Sequence, residues 1–255
     1  MEKLSARRAL VTGGGQGIGA AICRRLASDG YHVIVNDIDA GRADRMAEEI
    51  ASQGGHAHSA PGDISDPSAV DALFDSVESA HGFVSVLVNN AGIGGNAAIR
   101  DVTPEFWDRV RSVDLDAVLS CTRRALRPMR ERRTGAVVTI ASRAWLGWWG
   151  QSAYAAAKAG VVGMTRALAV EMGSRNIRLN VIAPGLIDTP LLRRHDDSTL
   201  ERLLASVPMG RLGAAADIAN ATAFLAGERA RSITGQVLYV CGGKSIYAYP
   251  DWPDS

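Results

Sequence analysis

Tyr154 and Lys158 lie four residues apart in the stretch Ser-Ala-Tyr-Ala-Ala-Ala-Lys, residues 152–158. On a helix that spacing puts both side chains on one face. The small residues around them, Ala153 to Val162, favour a helix. A phenol titrates near ~10, and an ammonium beside it favours the phenolate. The pair is therefore a device for giving a proton to, or taking one from, an alcohol or carbonyl oxygen. Twelve residues upstream, Ser142 follows the apolar run Ala136 to Ala141, where a strand should end. Alone, Tyr-x-x-x-Lys is a weak signal, because chance places it on many exposed helices.

A second group could hold a dinucleotide. The apolar run Ala9–Thr12 leads into Thr12-Gly-Gly-Gly-Gln-Gly-Ile-Gly19, and a helix-forming stretch follows. Gly13, Gly17 and Gly19, with Gln16 and Ile18 between them, allow a tight turn. Such a turn brings backbone N–H groups to a pyrophosphate at a helix N-terminus. Asp37 ends the second apolar run, eighteen residues past Gly19. An acid there accepts hydrogen bonds from the ribose hydroxyls and repels a 2′-phosphate, which predicts NAD over NADP. Asp63 and Ile64 follow the third run, where an adenine ring would lie; a plain turn or N-cap aspartate is the alternative for Asp63. Asn89-Asn90-Ala91-Gly92 follows the fourth run and is small enough for close cofactor approach.

These groups need a scaffold. Seven apolar runs of strand length, 9–12, 32–36, 57–61, 84–89, 136–141, 179–183 and 237–240, alternate with helix-length segments, of which 104–131 reads as one helix. Continuous apolar strands alternating with helices predict an α/β fold, a doubly wound seven-stranded parallel sheet with helices on both faces. With 255 residues and no linker, repeat or low-complexity run, a single domain over 1–255 is expected. Residues 186–212 are too long for a simple connection and are expected to form a substrate lid.

Composition excludes several classes. The net charge is +1, which gives no reason to expect nucleic acid or an anionic membrane as partner. No uncharged apolar run approaches the ~20 residues of a membrane span. The three cysteines are scattered, so neither a zinc site nor a disulfide framework is expected. His56 and His58 alternate on a strand without a visible third ligand, and no metal is predicted. The absence of an apolar leader at the N-terminus adds to a cytoplasmic expectation.

Taken together, Thr12–Gly19, Asp63, Asn89–Gly92, Ser142, Tyr154-x-x-x-Lys158 and Pro184-Gly185 with Thr189 resemble the short-chain dehydrogenase/reductases. The pieces occur in family order from the first strand to the last third of the chain. The resemblance implies a Rossmann-type fold, a nicotinamide cofactor and a homotetramer. It implies that Tyr154 is the acid/base, that Lys158 holds the nicotinamide ribose and supports the phenolate, and that Ser142 binds the substrate oxygen. Pro184, Gly185, Ile187 and Thr189 would line the carboxamide. The chain departs from the family at Val113-Asp114-Leu115, where an Asn is frequent in place of Asp114. It departs also in a Ser142 to Tyr154 spacing one residue short, and in Cys241 where Asp is frequent. Asp114 is kept among the catalytic candidates; an ordinary helix aspartate is the alternative.

Three of the five tryptophans fall between Ser142 and Tyr154, which the resemblance places beside the substrate. Trp145, Trp148 and Trp149 are expected to wall an apolar pocket, or to pack in a subunit interface. Arg143 could pair with a substrate carboxylate or with a neighbouring acid. Asn96 and Leu191 are further pocket candidates, with Ile93, Leu186 and Leu192. The expected reaction is NAD-dependent interconversion of a hydrophobic secondary alcohol, cyclic and aromatic ones included, and its ketone. A 3-oxoacyl-thioester reductase is the alternative, kept open by the basic run Arg123, Arg124, Arg127, Arg130, Arg132 and Arg133. The aromatic, proline-rich tail, 247–255, is expected to dock on a neighbouring subunit through Trp252.

Overall fold

Side chains alternate across the sheet and divide the core in two. Ala9, Val11, Val33, Val35, Val86 and Val88 face one way, and Leu10, Ile34 and Leu87 the other, all fully buried. A strand with both faces covered must be apolar on both, which is why these runs show no polar alternation. The computed structural model describes residues 7–188, 192 and 197–246. Its seven strands are β1 (Arg8–Val11), β2 (His32–Val35), β3 (His56–Ser59), β4 (Val86–Asn89), β5 (Gly135–Ile140), β6 (Ile177–Pro184) and β7 (Val237–Val240). They form one parallel sheet in the order β3-β2-β1-β4-β5-β6-β7. This is the predicted Rossmann-type arrangement.

The helices are α1 (Gly17–Ser28), α2 (Ala40–Ser52), α3 (Pro67–His81), α4 (Pro104–Arg111), α5 (Ala117–Arg132), α6 (Ser152–Gly173), α7 (Asp197–Ala205) and α8 (Ala215–Ala226). On the first face Ile22 and Leu26 of α1, Met46 and Ile50 of α2 and Ile218 of α8 pack on the sheet. On the second, Val70 and Phe74 of α3, Cys121 and Met129 of α5 and Ala169 of α6 do so. Local signals set the helix starts. Asp66 and Thr103 accept from the amides of Ser68 and Phe106, each followed by a proline at the first helical position.

The strand order reverses between β1 and β4. In an open α/β sheet that reversal leaves a crevice beyond the C-terminal strand ends. Gly13, Asp37, Asp63, Asn90, Ser142, Gly185 and Cys241 all follow C-terminal strand ends.

Two expectations need correction. The segment 104–131 is not one helix: five residues, Ser112–Asp116, form a π-turn between α4 and α5. The segment 186–212 is not a plain loop, since it holds α7. Leu200, Leu203 and Leu204, at i, i+3 and i+4, carry that helix in the sequence. Thr189, Leu191, His195 and the tail from residue 247 lie outside the described residues, as does Trp252. Among the described residues no helix is long and apolar enough to cross a membrane.

Candidate active site

The glycine turn is built by its contacts. Gly13 and Gly17 have φ of +63° and +55°, which a side chain would strain. A Cβ on Gly19 would lie 2.0 Å from the Gly13 carbonyl oxygen, so no larger residue fits there. The Thr12 hydroxyl accepts from the amides of Asn90 and Ala91 at 3.0 and 3.1 Å. The Asn90 amide group donates back to the carbonyls of Thr12 and Gly13. β1 and β4 are thus locked together where the crevice opens. The residue before α1, Gln16, gives the helix no side-chain cap, and the position of a Cβ on Gly17 faces open space. The first amides of α1 are therefore free to meet a phosphate.

Asp37 is 5% exposed; its carboxylate accepts from the amides of Gly15 (3.0 Å) and Asp39 (3.1 Å). It holds the glycine turn to the end of β2 and presents a negative charge there. Arg42 lies against Gly15, and its guanidinium pairs with Asp39 at 3.3 Å. Asn36 donates to the carbonyls of Ala60 and Gly62, which fixes the loop carrying Asp63. Asp63 itself is exposed and accepts from the amide and hydroxyl of Ser65, the turn role that was its alternative. The Ile64 side chain is buried in the core, so only its backbone is left for a cofactor. Ile187 is likewise a core side chain. Gly185 is required because a Cβ there would come 2.7 Å from Cys241 Cα.

The chemical centre sits on α6. Tyr154 is half-buried and packs against the cluster of Val110, Ala153 and Ala157, as do Ile93, Phe106 and Leu115. Lys158, 3% exposed, places Nζ 5.4 Å from the Tyr154 ring centre and donates to the Ile140 carbonyl at 3.3 Å. Its ammonium stands 2.9 Å from Oδ1 of Asp114, which is completely buried. The contact is an ion pair; Oδ1 accepts no aligned hydrogen bond, while Oδ2 accepts from the Ile93 amide at 3.1 Å. Burial alone would push the Lys158 pKa down, but the charges of Tyr154 and Asp114 and the contact with Asp114 outweigh it and raise it. The π-turn aims Asp114 inward, and Gly92 makes room: a Cβ there would lie 2.6 Å from Oδ1. Asp114 is thus a buried partner of Lys158, held by the distant Ile93 amide and not by a local backbone bond as an ordinary helix aspartate would be. Ser142 ends β5, and its hydroxyl accepts from the Ala144 amide at 3.1 Å.

On the substrate side the three tryptophans separate. Trp145 packs among Val118, Val161 and Val181 and stacks on Tyr239, with ring centres 6.4 Å apart. It is a core residue and not a pocket wall, because the turn Arg143–Leu146 points it back at the sheet. Trp148 and Trp149 line an apolar cavity of about 340 Å³ with Ala97, Ile99 and Ala155, and Trp149 is 80% exposed. Asn96 accepts from the Gln151 side chain at 2.9 Å, a strut between two loops. Arg143 has no carboxylate partner among the described residues. Lys244 escaped the sequence reading. The signal was there: it follows Gly242-Gly243 just beyond β7, at the ligand edge of the sheet.

The α5 arginines have different surroundings. Arg124 pairs with Asp71, Asp75 and Glu78, while Arg123, Arg127 and Arg130 are exposed. His58, read as lacking a third ligand, meets both His32 and His81.

Known proteins share this arrangement. A family model described as enoyl-(acyl carrier protein) reductase, adh_short_C2, matches residues 13–245. A (2S)-[(R)-hydroxy(phenyl)methyl]succinyl-CoA dehydrogenase subunit, BbsD, of Thauera aromatica is 43% identical over 242 residues, 95% of this chain and 98% of the relative. A 3-oxoacyl-[acyl-carrier-protein] reductase, FabG, of Escherichia coli is 38% identical over 236 residues, 92% of this chain and 96% of the relative. A crystal structure of a candidate gluconate dehydrogenase from Agrobacterium tumefaciens has a TM-score of 0.92 at 28% identity, covering 96% of this chain and 98% of that one. With its glycine turn, its Tyr154–Lys158 pair and a match along nearly its whole length, the chain belongs to the short-chain dehydrogenase/reductase family, whose members are oxidoreductases using nicotinamide cofactors.

Proposed function

We propose that this chain is an NAD-dependent dehydrogenase that interconverts a hydrophobic secondary alcohol, cyclic or aromatic, and its ketone. The observation that carries the reading is the buried Asp114–Lys158 pair one helical turn from Tyr154. A buried ammonium held in its charged form beside a phenol serves proton transfer better than stability.

The residues present fit the cofactor. Gly13, Gln16, Gly17, Ile18 and Gly19 would meet the pyrophosphate, and Asp37 the adenosine ribose. The loop of Asp63 and Ile64 would meet the adenine. Asn90, Ala91 and Gly92, with Pro184, Gly185, Ile187 and Thr189, would meet the nicotinamide half. When bound, the nicotinamide supplies the acceptor or donor for hydride. Tyr154 takes the hydroxyl proton in oxidation and returns it in reduction. Ser142 fixes the reacting oxygen. Lys158 keeps a positive charge beside the phenol, and Asp114 keeps Lys158 charged. Asp37 favours NAD, because a 2′-phosphate would meet its carboxylate. The apolar cavity beside Trp148 and Trp149 supports a hydrophobic substrate. The exposed Leu119 of α5 and Val170 of α6 support a homotetramer. A cytoplasmic location fits the buried free thiols.

The second reading is reduction of a 3-oxoacyl thioester. The relatives favour it: two act, by name, on carrier-protein or CoA thioesters. A panel of secondary alcohols and 3-hydroxyacyl thioesters, followed by NADH absorbance, separates the two. Turnover of free alcohols at rates equal to or above those of thioesters supports the first reading. Turnover of thioesters alone replaces it with the second.

A further inference from the structure

Two cations meet over one indole beside the catalytic strand end. Arg143 directly follows Ser142, and its guanidinium carbon lies 4.7 Å from the ring centre of Trp148. Lys244, from the turn after β7, places its ammonium 4.9 Å from the same centre and donates to the Ser206 hydroxyl. Lys244 is 6% exposed. The Arg143 Nε is buried with no hydrogen-bond partner. No carboxylate pairs with either cation among the described residues, although Arg124 alone has three. Burial lowers both pKa values, and the Arg143 charge lowers that of Lys244 further. Two like charges, partly desolvated and uncompensated, are unfavourable unless an anion arrives. The ring they share is also part of the apolar cavity wall.

We propose that Arg143 and Lys244 form an anion subsite that binds a carboxylate on the substrate, with Trp148 packing against its apolar part. The substrate class is then a hydrophobic secondary alcohol that carries a carboxylate. The planar guanidinium suits a two-oxygen acceptor, and Lys244 adds a point charge. This refines the dehydrogenase reading and rests on it for the word substrate, while the anion binding itself can be measured without turnover.

The test uses the full-length enzyme with NADH bound. Calorimetry compares 3-phenylpropionate with 3-phenylpropan-1-ol, which differ in charge and share a ring. The carboxylate is expected to bind about tenfold more tightly or better, with the preference shrinking as salt rises. In the Arg143→Gln/Lys244→Gln double variant the preference should vanish, with NADH affinity retained as the sign of an intact fold. Equal affinities in the unaltered enzyme, or a preference that survives in the double variant, would overturn the subsite. Carboxylate-selective binding with no turnover of any secondary alcohol would support the subsite and sink the dehydrogenase reading instead.

An independent cluster lies at the other end of the sheet. His32 opens β2, His58 lies in β3 and His81 closes α3, and one ligating nitrogen of each is within 4.8 Å of the others. Ring centres are 4.2 Å apart for His58 and His81, 4.8 Å for His32 and His81, and 6.2 Å for His32 and His58. Imidazole nitrogens are the commonest protein ligands of a transition metal. Tetrahedral zinc with bonds of 2.0–2.1 Å spaces its nitrogens by about 3.3 Å, which side-chain rotation can reach here.

We infer that His32, His58 and His81 bind Zn²⁺, with water as fourth ligand, clamping the end of α3 to the edge strand β3. Titrating tag-free protein with Zn²⁺ should show one equivalent bound and a raised Tm. His58→Ala, at an exposed position, should remove both effects. No saturable binding, or binding unchanged in His58→Ala, would contradict the site.

Discussion

Lys158 and Asp114 form an ion pair of 2.9 Å inside the protein, one 3% exposed and the other fully buried. Two features make it possible. The π-turn 112–116 rotates Asp114 inward, and Gly92 leaves the space that Oδ1 fills. Where the family frequently has a neutral Asn, this chain has a carboxylate beside Lys158.

Removing that charge should show in two measurements. Breaking a buried pair on one side costs about 3–5 kcal/mol, so Asp114→Asn should lower Tm by roughly 6–20 °C. The sign with pH follows from Lys158, whose folded pKa is raised above the unfolded value near ~10.4. The pair stabilises fully below that unfolded value and is lost as pH rises through the folded one. Asp114→Asn should therefore move the alkaline loss of activity to lower pH. A variant with unchanged Tm and an unchanged alkaline limb would show that the carboxylate carries no charge in the cluster.

Asp37 predicts the cofactor. The unaltered enzyme should have the higher kcat/KM with NAD. Asp37→Asn keeps one of the two acceptors, since Gly15 and Asp39 bond different carboxylate oxygens, and removes the charge that meets a 2′-phosphate. The ratio should shift toward NADP by about tenfold or more, with Arg42 close enough to help. Steady-state kinetics with both cofactors test it; an NADP preference in the unaltered enzyme contradicts it.

Gly19 should tolerate nothing larger. The added methyl of Gly19→Ala would sit 2.0 Å from a backbone carbonyl oxygen, so the turn must open. Overpacking of this kind costs about 1–3 kcal/mol, and here it displaces the amides that meet the pyrophosphate. NADH fluorescence titration should show weakened binding. An unchanged dissociation constant would mean that the turn does not hold the cofactor.

The buried thiols should be inert. Burial pushes the Cys121 pKa up to about 12, and burial raises that of Cys23 further. The thiolate is the reactive form, so neither should be alkylated at pH 8 before denaturant is added. Mass spectrometry after iodoacetamide treatment tests this, and rapid labelling of Cys121 in the native protein would contradict it.

Which parts were legible in the sequence follows from physics. The inner sheet was, because strands covered on both faces must be apolar throughout; the two edge runs, 57–61 and 237–240, also became strands although β3 and β7 are exposed or half-buried. The glycine turn and the Tyr154–Lys158 pair were, because their spacing is set by local geometry. The π-turn was not: one widened turn leaves the apolar pattern of 104–131 almost unchanged. The fates of Trp145, Ile64 and Ile187 were not, because an apolar side chain beside a site can face the core or the cleft, and only packing decides. Nor was the meeting of Arg143 with Lys244, which joins residues about a hundred positions apart in sequence. The same holds for His58, whose partners come from another strand and a helix end.

The most direct test of the central claim is Tyr154→Phe, which removes one oxygen and keeps the ring that packs against the cluster of Val110, Ala153 and Ala157. NADH binding should be unchanged, and kcat for whichever alcohol the panel identifies should fall by about 10²–10⁴-fold. Turnover within a few-fold of the unaltered enzyme, with binding intact, would show that the proton moves through some other group.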